Sequence, residues 1–177
     1  MLHEDLLGQA ELLARVDERR PRQANLRRAV SAADYALFHA IGFHVSRFLT
    51  GARSGDRLAR SLVRRSLTHA TIAAAMTGFA SGNPARVYRP AYDREAGMGA
   101  LRTAARIFLR LRELRHHADY DILFVFYRSD VLAAIEDARD GIRLLADLRS
   151  GDSQRERVFF LALLLHDRLK GRARSLA

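Results

Sequence analysis

ALRTAARIFLRLRELRHHADYD, residues 100–121, is the stretch on which the reading of the fold turns. Its first half is an arginine-laden amphipathic helix. Leu101, Ala104, Ala105, Phe108 and Leu111 recur at helical spacing and draw an apolar stripe, while Arg102, Arg106 and Arg110 step by four along another face. Its second half, Arg115-His116-His117-Ala118-Asp119-Tyr120, is the densest polar cluster in the chain. Extending the stripe past Leu111 puts Arg115 on it, with Ala118 next. A guanidinium stays protonated and carries five donors, so one that emerges from an apolar seam requires an anion or several acceptors.

Working outward from that helix, the rest of the chain also reads as helix. Residues 4–17 form a short amphipathic helix with Leu6, Leu7, Leu12, Leu13 and Val16 as its apolar side, broken at Pro21. A long helix runs from about 23 to 49, with Leu26, Val30, Ala33, Leu37, Ile41 and Val45 mostly four apart, and Gly51 suits its C-cap. After the polar turn Arg53-Ser54-Gly55-Asp56, a third helix over about 57–77 carries Leu58, Leu62, Leu67, Ile72 and Met76 as its apolar positions. Residues 78–94 are the only extended loop, with Gly82-Asn83-Pro84 and Arg89-Pro90 as breakers. The stretch at 100–121 is the fourth helix. A short apolar run, Ile122-Leu123-Phe124-Val125-Phe126-Tyr127, is too brief to classify by period. Ser129 then fits an N-cap for a fifth helix to about 149, and Gly151-Asp152-Ser153 separates it from a last one at 155–169, apolar nearly all round at 158–165. That last helix suits either a buried terminal element or a subunit interface.

The expectation is therefore an all-α, up-and-down bundle of about six helices forming a single domain over residues 1–177. At 177 residues, 49% hydrophobic and 28% charged, the chain is long enough to bury one core and has the balance of an ordinary globular protein. With no cysteine, disulfides, thiolate chemistry and cysteine zinc sites are excluded. No stretch reaches the length of a spanning helix, and the acidic N-terminus is unlike a signal peptide, so a cytoplasmic protein with no membrane association is expected. The net charge of +10 points toward polyanions, and the single lysine, Lys170, leaves arginine to supply the rest. Arginine's planar fork grips phosphate, but a GC-rich genome also writes Arg for Lys, and both explanations stay open.

Two blocks, taken together, resemble a known family. Residues 28–40, RAVSAADYALFHA, resemble the R-x-A-x-S-x-x-Y-Y-A-L-F-H helix of HEPN-domain proteins, and residues 114–121, LRHHADYD, are similar to the R-x-x-A-D-Y-D ending of a later HEPN helix. The helix at 131–148 is similar to the one that follows it in that family. The resemblance covers roughly residues 22–148, leaving one helix outside at each end. It implies a helical bundle that dimerises, works in toxin–antitoxin or antiviral systems, and often acts on RNA or pairs with an antitoxin or other protein. It also implies no cofactor and no metal, since active members cleave RNA by attack of the 2′-hydroxyl on the adjacent phosphate. There a His moves a proton and an Arg, four to six residues before it, steadies phosphate charge.

Carried onto this chain, the motif has two alignments. Aligning on A-D-Y makes Arg115 the motif arginine and puts Tyr120 where the His belongs, which removes the imidazole, since an ordinary tyrosine titrates near pKa 10. Aligning on the literal spacing gives Arg112 and His117. Five residues on a straight helix separate side chains by about 140°, so that pair meets one phosphate only if the helix unwinds after Leu114 or a second subunit completes the site. The A-D-Y alignment is the one adopted. It implies a non-catalytic, basic, dimeric module that binds RNA, a nucleotide or a partner protein; a metal-independent endoribonuclease using Arg112, Arg115, His117 and Tyr120 is the alternative, and a helical adaptor the second.

Other residues carry two readings each. Arg86, Arg89 and Arg94, interleaved with Tyr88 and Tyr92 on the loop, suit phosphate and base contacts, or the tyrosines simply anchor the loop to the body. Arg106, Arg110 and His116 join the phosphate-binding candidates. Asp34 stands where the family has the first Tyr of its Tyr-Tyr pair, and a carboxylate there suits a structural partner for Arg112 or Arg115. Asp119 is a second such partner. His39 and His44 suit core or seam positions.

Overall fold

The computed structural model describes residues 1–51, 56–92, 98–150 and 153–169. The turn residues Arg53, Ser54 and Gly55, the loop arginine Arg94, and Gly151 and Asp152 lie outside them. The chain is all-helical. The described residues form seven α-helices, α1 (Leu2–Arg15), α2 (Gln23–Thr50), α3 (Arg57–Ser66), α4 (His69–Ala80), α5 (Met98–Tyr120), α6 (Arg128–Ser150) and α7 (Gln154–Leu169), and a 3-10 helix at Arg86–Ala91. No described residue is in a strand.

The helix count exceeds six because one expected helix is two. The third helix breaks at Leu67, whose backbone is extended, and Thr68 restarts it: the Thr68 hydroxyl accepts the Thr71 N–H at 3.1 Å, satisfying a donor that the first turn of α4 otherwise leaves open. The expected loop is also partly helical, with α4 running to Ala80 and a 3-10 turn at Arg86–Ala91. Gly51, at φ +75°, takes the left-handed conformation that ends α2 without the penalty a Cβ would bring. Helix α6 begins at Arg128, one residue before the expected cap, with the Val131 N–H reaching Tyr127 O at 3.1 Å.

The backbone gathers into two compact units. The first comprises Met1–Ala40 and Ile107–Arg143; the second, Ile41–Arg106 and Leu144–Ala177. Helices α2, α5 and α6 each give residues to both.

In the first unit the core is built on small residues. Ala29, Val30, Ala33 and Leu37 of α2, Phe108 and Leu111 of α5, and Val131, Ala134 and Ala138 of α6 are all buried. At Gly141 a Cβ would come within 3.0 Å of Leu37 and 3.1 Å of Ile107, so only glycine admits this approach unstrained. Helix α1 buries His3, Ala10 and Ala14, with Leu6, Leu7 and Leu13 of the expected leucine side half-buried beside them. Leu12 and Val16 are exposed; Leu12 is half a turn away from the stripe that His3, Ala10 and Ala14 define.

In the second unit the centre is aromatic. Phe79 of α4 meets Phe159 of α7 at 5.0 Å between ring centroids and Tyr92 at 5.4 Å, and Phe48 of α2 meets Phe160 at 5.0 Å. Helix α4 packs on α7, whose Phe159, Phe160, Ala162 and Leu163 are buried, which makes it an internal element of this unit. Helix α3 departs from expectation. It buries none of its residues, and Leu58 and Leu62, read as core positions, are exposed. The side it turns to α2 is its arginine side: Arg60 Nη1 reaches Gly51 O at 3.4 Å and Arg64 Nε reaches Ser46 Oγ at 3.2 Å.

Candidate functional site at the end of α5

The two blocks that carry the family resemblance meet in the first unit, α2 against the end of α5. Arg115 lies between three groups. Its Nη1 is 3.4 Å from Asp34 Oδ2, its Nε donates to Asp119 Oδ2 at 3.1 Å, and its guanidinium carbon stands 4.6 Å from the centre of the Tyr35 ring. Ser31 completes the set by donating to Asp119 Oδ1 at 2.7 Å. Asp34 is fully buried, on a helix face otherwise made of Val30, Ala33 and Leu37. A carboxylate in such a place survives as an ion only beside a cation, and Arg115 is that cation. For Arg115, burial alone lowers the pKa, but the bond to Asp119 and the charge of Asp34 outweigh it and raise the pKa. The guanidinium therefore remains charged and is met by carboxylates of its own fold.

The histidines lie elsewhere on the helix. Helix α5 stays helical through Tyr120, and the Asp121 N–H still reaches His117 O at 3.1 Å. The unwinding after Leu114 that would bring Arg112 and His117 together is absent, so their side chains remain about 140° apart, as do those of Arg115 and Tyr120. His117 instead stacks on Phe124, 4.5 Å between centroids and 19° between planes, with Nδ1 3.3 Å from Asp121 Oδ2. His116 is exposed and its ring lies 5.2 Å from that of Tyr120. Arg112 is exposed, and Arg110 pairs with Asp137 at 2.9 Å.

Arg86, Arg89 and Arg106 belong to the second unit, and all three are exposed. Arg89 is tied to its own loop, donating to Asn83 Oδ1 at 2.9 Å. The tyrosines between the loop arginines turn inward: Tyr88 and Tyr92 are buried against Phe79, and the Tyr92 hydroxyl donates to Arg155 O at 2.6 Å. Burial pushes the Tyr88 hydroxyl up to about 12, with Asp167 adding to it. Neither ring is placed to stack on a base.

The residues that organise this end of the first unit include two that charge patterning passes over. Arg27 of α2 donates to four carbonyls: Nη1 to His117 O and Ala118 O, both at 3.0 Å, and Nη2 to Asp121 O at 2.8 Å and Phe124 O at 2.6 Å. It thereby satisfies the last carbonyls of α5 and sits where the helix dipole favours a cation. One turn earlier, the Gln23 side-chain amide exchanges two hydrogen bonds with the Phe126 backbone, 2.8 and 2.9 Å. Asp121 adds a third hold by accepting the Leu123 N–H at 3.1 Å, which keeps its carboxyl below the ordinary value of 3.8. That hold is present above pH 3.8 and fades as the pH falls through the lowered pKa.

What these bonds hold is the apolar run at 122–127. Phe124 and Phe126 turn inward, their rings 4.8 Å apart, and their neighbours turn out. Ile122 is 88% exposed, Leu123 85%, Tyr127 66% and Val125 55%, with Tyr120 at 70% just before them. Such a contiguous group of exposed apolar side chains is unlike the scattered ones of an ordinary surface. By contrast, the cleft between α1 and α6 is lined by Glu11, Arg15, Glu136 and Arg139, and Arg139 pairs with both Glu11 and Glu136. Set against protein-family models, curated proteins and solved structures, the chain matches none of them. Among the described residues no helix is long and apolar enough to cross a membrane.

Proposed function

We propose that the chain is a non-catalytic, HEPN-like helical module that holds another protein chain on the apolar ridge at residues 120–127. The observation that carries this reading is the ridge itself: five large apolar side chains kept in water by a loop that Arg27, Gln23 and Asp121 fix in place. An unpartnered loop of this composition gains by collapsing inward. One pinned open by seven hydrogen bonds to its own backbone and the neighbouring helix end is prepared for a surface that arrives from outside. The neutralisation of Arg115 supports the non-catalytic half of the reading, because both carboxylates that face it compete with any phosphate.

The ridge is tested by the Ile122→Asp/Leu123→Asp double variant. Both side chains are almost fully exposed, so the thermal midpoint stays within a degree or two of the parent. Withdrawing two such side chains from an apolar interface costs about 3 kcal/mol or more, which is at least a hundredfold in affinity. Native mass spectrometry of tagged chain from its own host is expected to show the parent carrying a second polypeptide, a copy of itself or another protein, and the variant bare. Equal occupancy of the two would end the proposal.

The endoribonuclease alternative rests on exposed Arg112 and on His117, and it requires a second copy to bring them together. With RNA in EDTA, no 2′,3′-cyclic phosphate ends are expected from the parent. Cleavage that disappears in His117→Ala would reverse the assignment.

A further inference from the structure

Residues 124–127 alternate in two respects at once. Phe124 and Phe126 turn their rings inward, while Val125 and Tyr127 point out, 55% and 66% exposed. The backbone alternates with them. Phe124 O accepts Arg27, and the Phe126 N–H and C=O are both taken by the Gln23 carboxamide, so these groups face α2. Among the described residues no hydrogen bond reaches Val125 N–H, Val125 O or Tyr127 N–H, whereas Tyr127 O accepts the Asp130 and Val131 N–H groups at the start of α6. A period of two in both side chains and backbone groups is the geometry of an extended strand. Gln23 stands where a neighbouring strand would, its carboxamide giving and taking one hydrogen bond at Phe126 as a peptide unit does. One edge of this short strand is therefore filled from within. The other is left to water.

We infer, on the reading of the ridge as a protein-binding surface, that the open edge of residues 124–127 takes a continuous extended segment of the partner polypeptide, added to it as a strand. Three backbone groups select that form. An extended partner supplies an N–H for Val125 O and a carbonyl each for the N–H groups of Val125 and Tyr127. A helix cannot, because its own ladder occupies its N–H and C=O groups. A second copy of the same segment fits less well. Pairing two copies antiparallel about Val125 sets Tyr127 N–H opposite Leu123, where the chain is in a turn and the Leu123 N–H already goes to Asp121. A continuous segment meets all three groups. Its size also agrees: Tyr120, Ile122, Leu123, Val125 and Tyr127 together expose roughly 700 Å², close to the ~800 Å² that each side of an ordinary interface covers. The side chains that the added strand lays beside Val125 and Tyr127 are apolar, so its sequence is apolar at alternate positions.

The probe is a phage-displayed library of random peptides, depleted on the Ile122→Asp/Leu123→Asp variant and then panned on the full chain, so that what is retained depends on the ridge. The strongest binder is synthesised and its affinity read by fluorescence anisotropy. Its sequence is expected to be apolar at every second residue. N-methylation along the peptide is expected to cost at least about tenfold at alternate residues, those whose N–H faces Val125, and under about threefold at the residues between. Val125→Pro removes a donor that the fold does not use and is expected to lose at least about tenfold, while Val125→Thr, of the same shape with its N–H kept, stays within about threefold of the parent. Amide exchange gives a reading that needs no variant: the bound peptide is expected to slow exchange at Val125 and Tyr127 by at least about tenfold and to leave Phe126 unchanged. A binder indifferent both to Val125→Pro and to the position of the N-methyl group would overturn strand addition and leave the ridge standing. No binder at all would also overturn it, with native mass spectrometry of Ile122→Asp/Leu123→Asp deciding the ridge separately. A parent chain that sediments as a dimer, and as a monomer once Val125→Pro is made, would overturn the choice of occupant and put a second copy on the edge.

Discussion

Replacing Arg27 with alanine is expected to lower the unfolding free energy by about 3 kcal/mol. The guanidinium meets four carbonyls, two from the last turn of α5 and two from the loop beyond it, all within 3.0 Å. Removing it leaves those oxygens to find water in a partly buried place and withdraws a cation from a helix C-terminus. The bonds share one side chain, so their loss is less than the sum of four. Arg27→Lys is expected to recover only about a third of the loss, since one ammonium on a flexible stem cannot span four acceptors spread over eight residues. Urea unfolding followed by circular dichroism measures both. Lysine restoring full stability, or alanine costing under about 0.5 kcal/mol, would show that the loop is held by something else.

The second large effect separates the two meanings of Arg115. Asp34→Ala strands a partly buried guanidinium and is expected to cost about 3 kcal/mol, with Arg115→Ala costing a similar amount by stranding the carboxylate. Asp34→Leu/Arg115→Met removes both charges and fills the space. It is expected to come within about 1 kcal/mol of the parent, because a buried pair gains little over well-packed apolar groups once its desolvation is counted. The coupling from this double-mutant cycle therefore comes to several kcal/mol and of the sign of a mutual interaction. If the double variant were as unstable as the two single variants summed, Arg115 and Asp34 would be acting independently, and Arg115 would regain its place as an anion ligand.

Helix positions were legible in the sequence because hydrophobic period and punctuation report them directly: Gly51 and the stripe through Phe108 and Leu111 needed no tertiary information. Thr68 was equally visible as a cap, but the apolar series through Leu58, Leu62 and Leu67 ran across it and masked the break. Which face of a helix turns inward was less legible. In α3 the period is strong, yet the arginine side packs on α2, since long arginine stems cover apolar surface while their heads reach Ser46 and the Gly51 carbonyl. In α1 the buried stripe is alanine and histidine, with Leu6, Leu7 and Leu13 half-buried at its side and only Leu12 and Val16 turned to water. The pairing of Asp34 with Arg115 was open to reasoning because a carboxylate on an apolar face requires a cation. Arg27 was not, because its partners are backbone carbonyls, which every residue possesses and no pattern marks. The run at 122–127 was unclassifiable for a related reason: six apolar residues read as a strand, a core helix or a ridge, and only the hydrogen bonds from α2 decide.

The account turns on the ridge being where another chain sits, and the most direct measurement is site-specific photo-crosslinking in the native host. A benzophenone amino acid placed at Val125 or Tyr127 is expected to give one discrete adduct. That adduct should vanish when Ile122→Asp/Leu123→Asp is added. The same probe at Leu12, exposed on α1, is expected to give none. A smear without a defined product at Val125 and Tyr127, or an adduct at Leu12 as strong as theirs, would contradict the proposal.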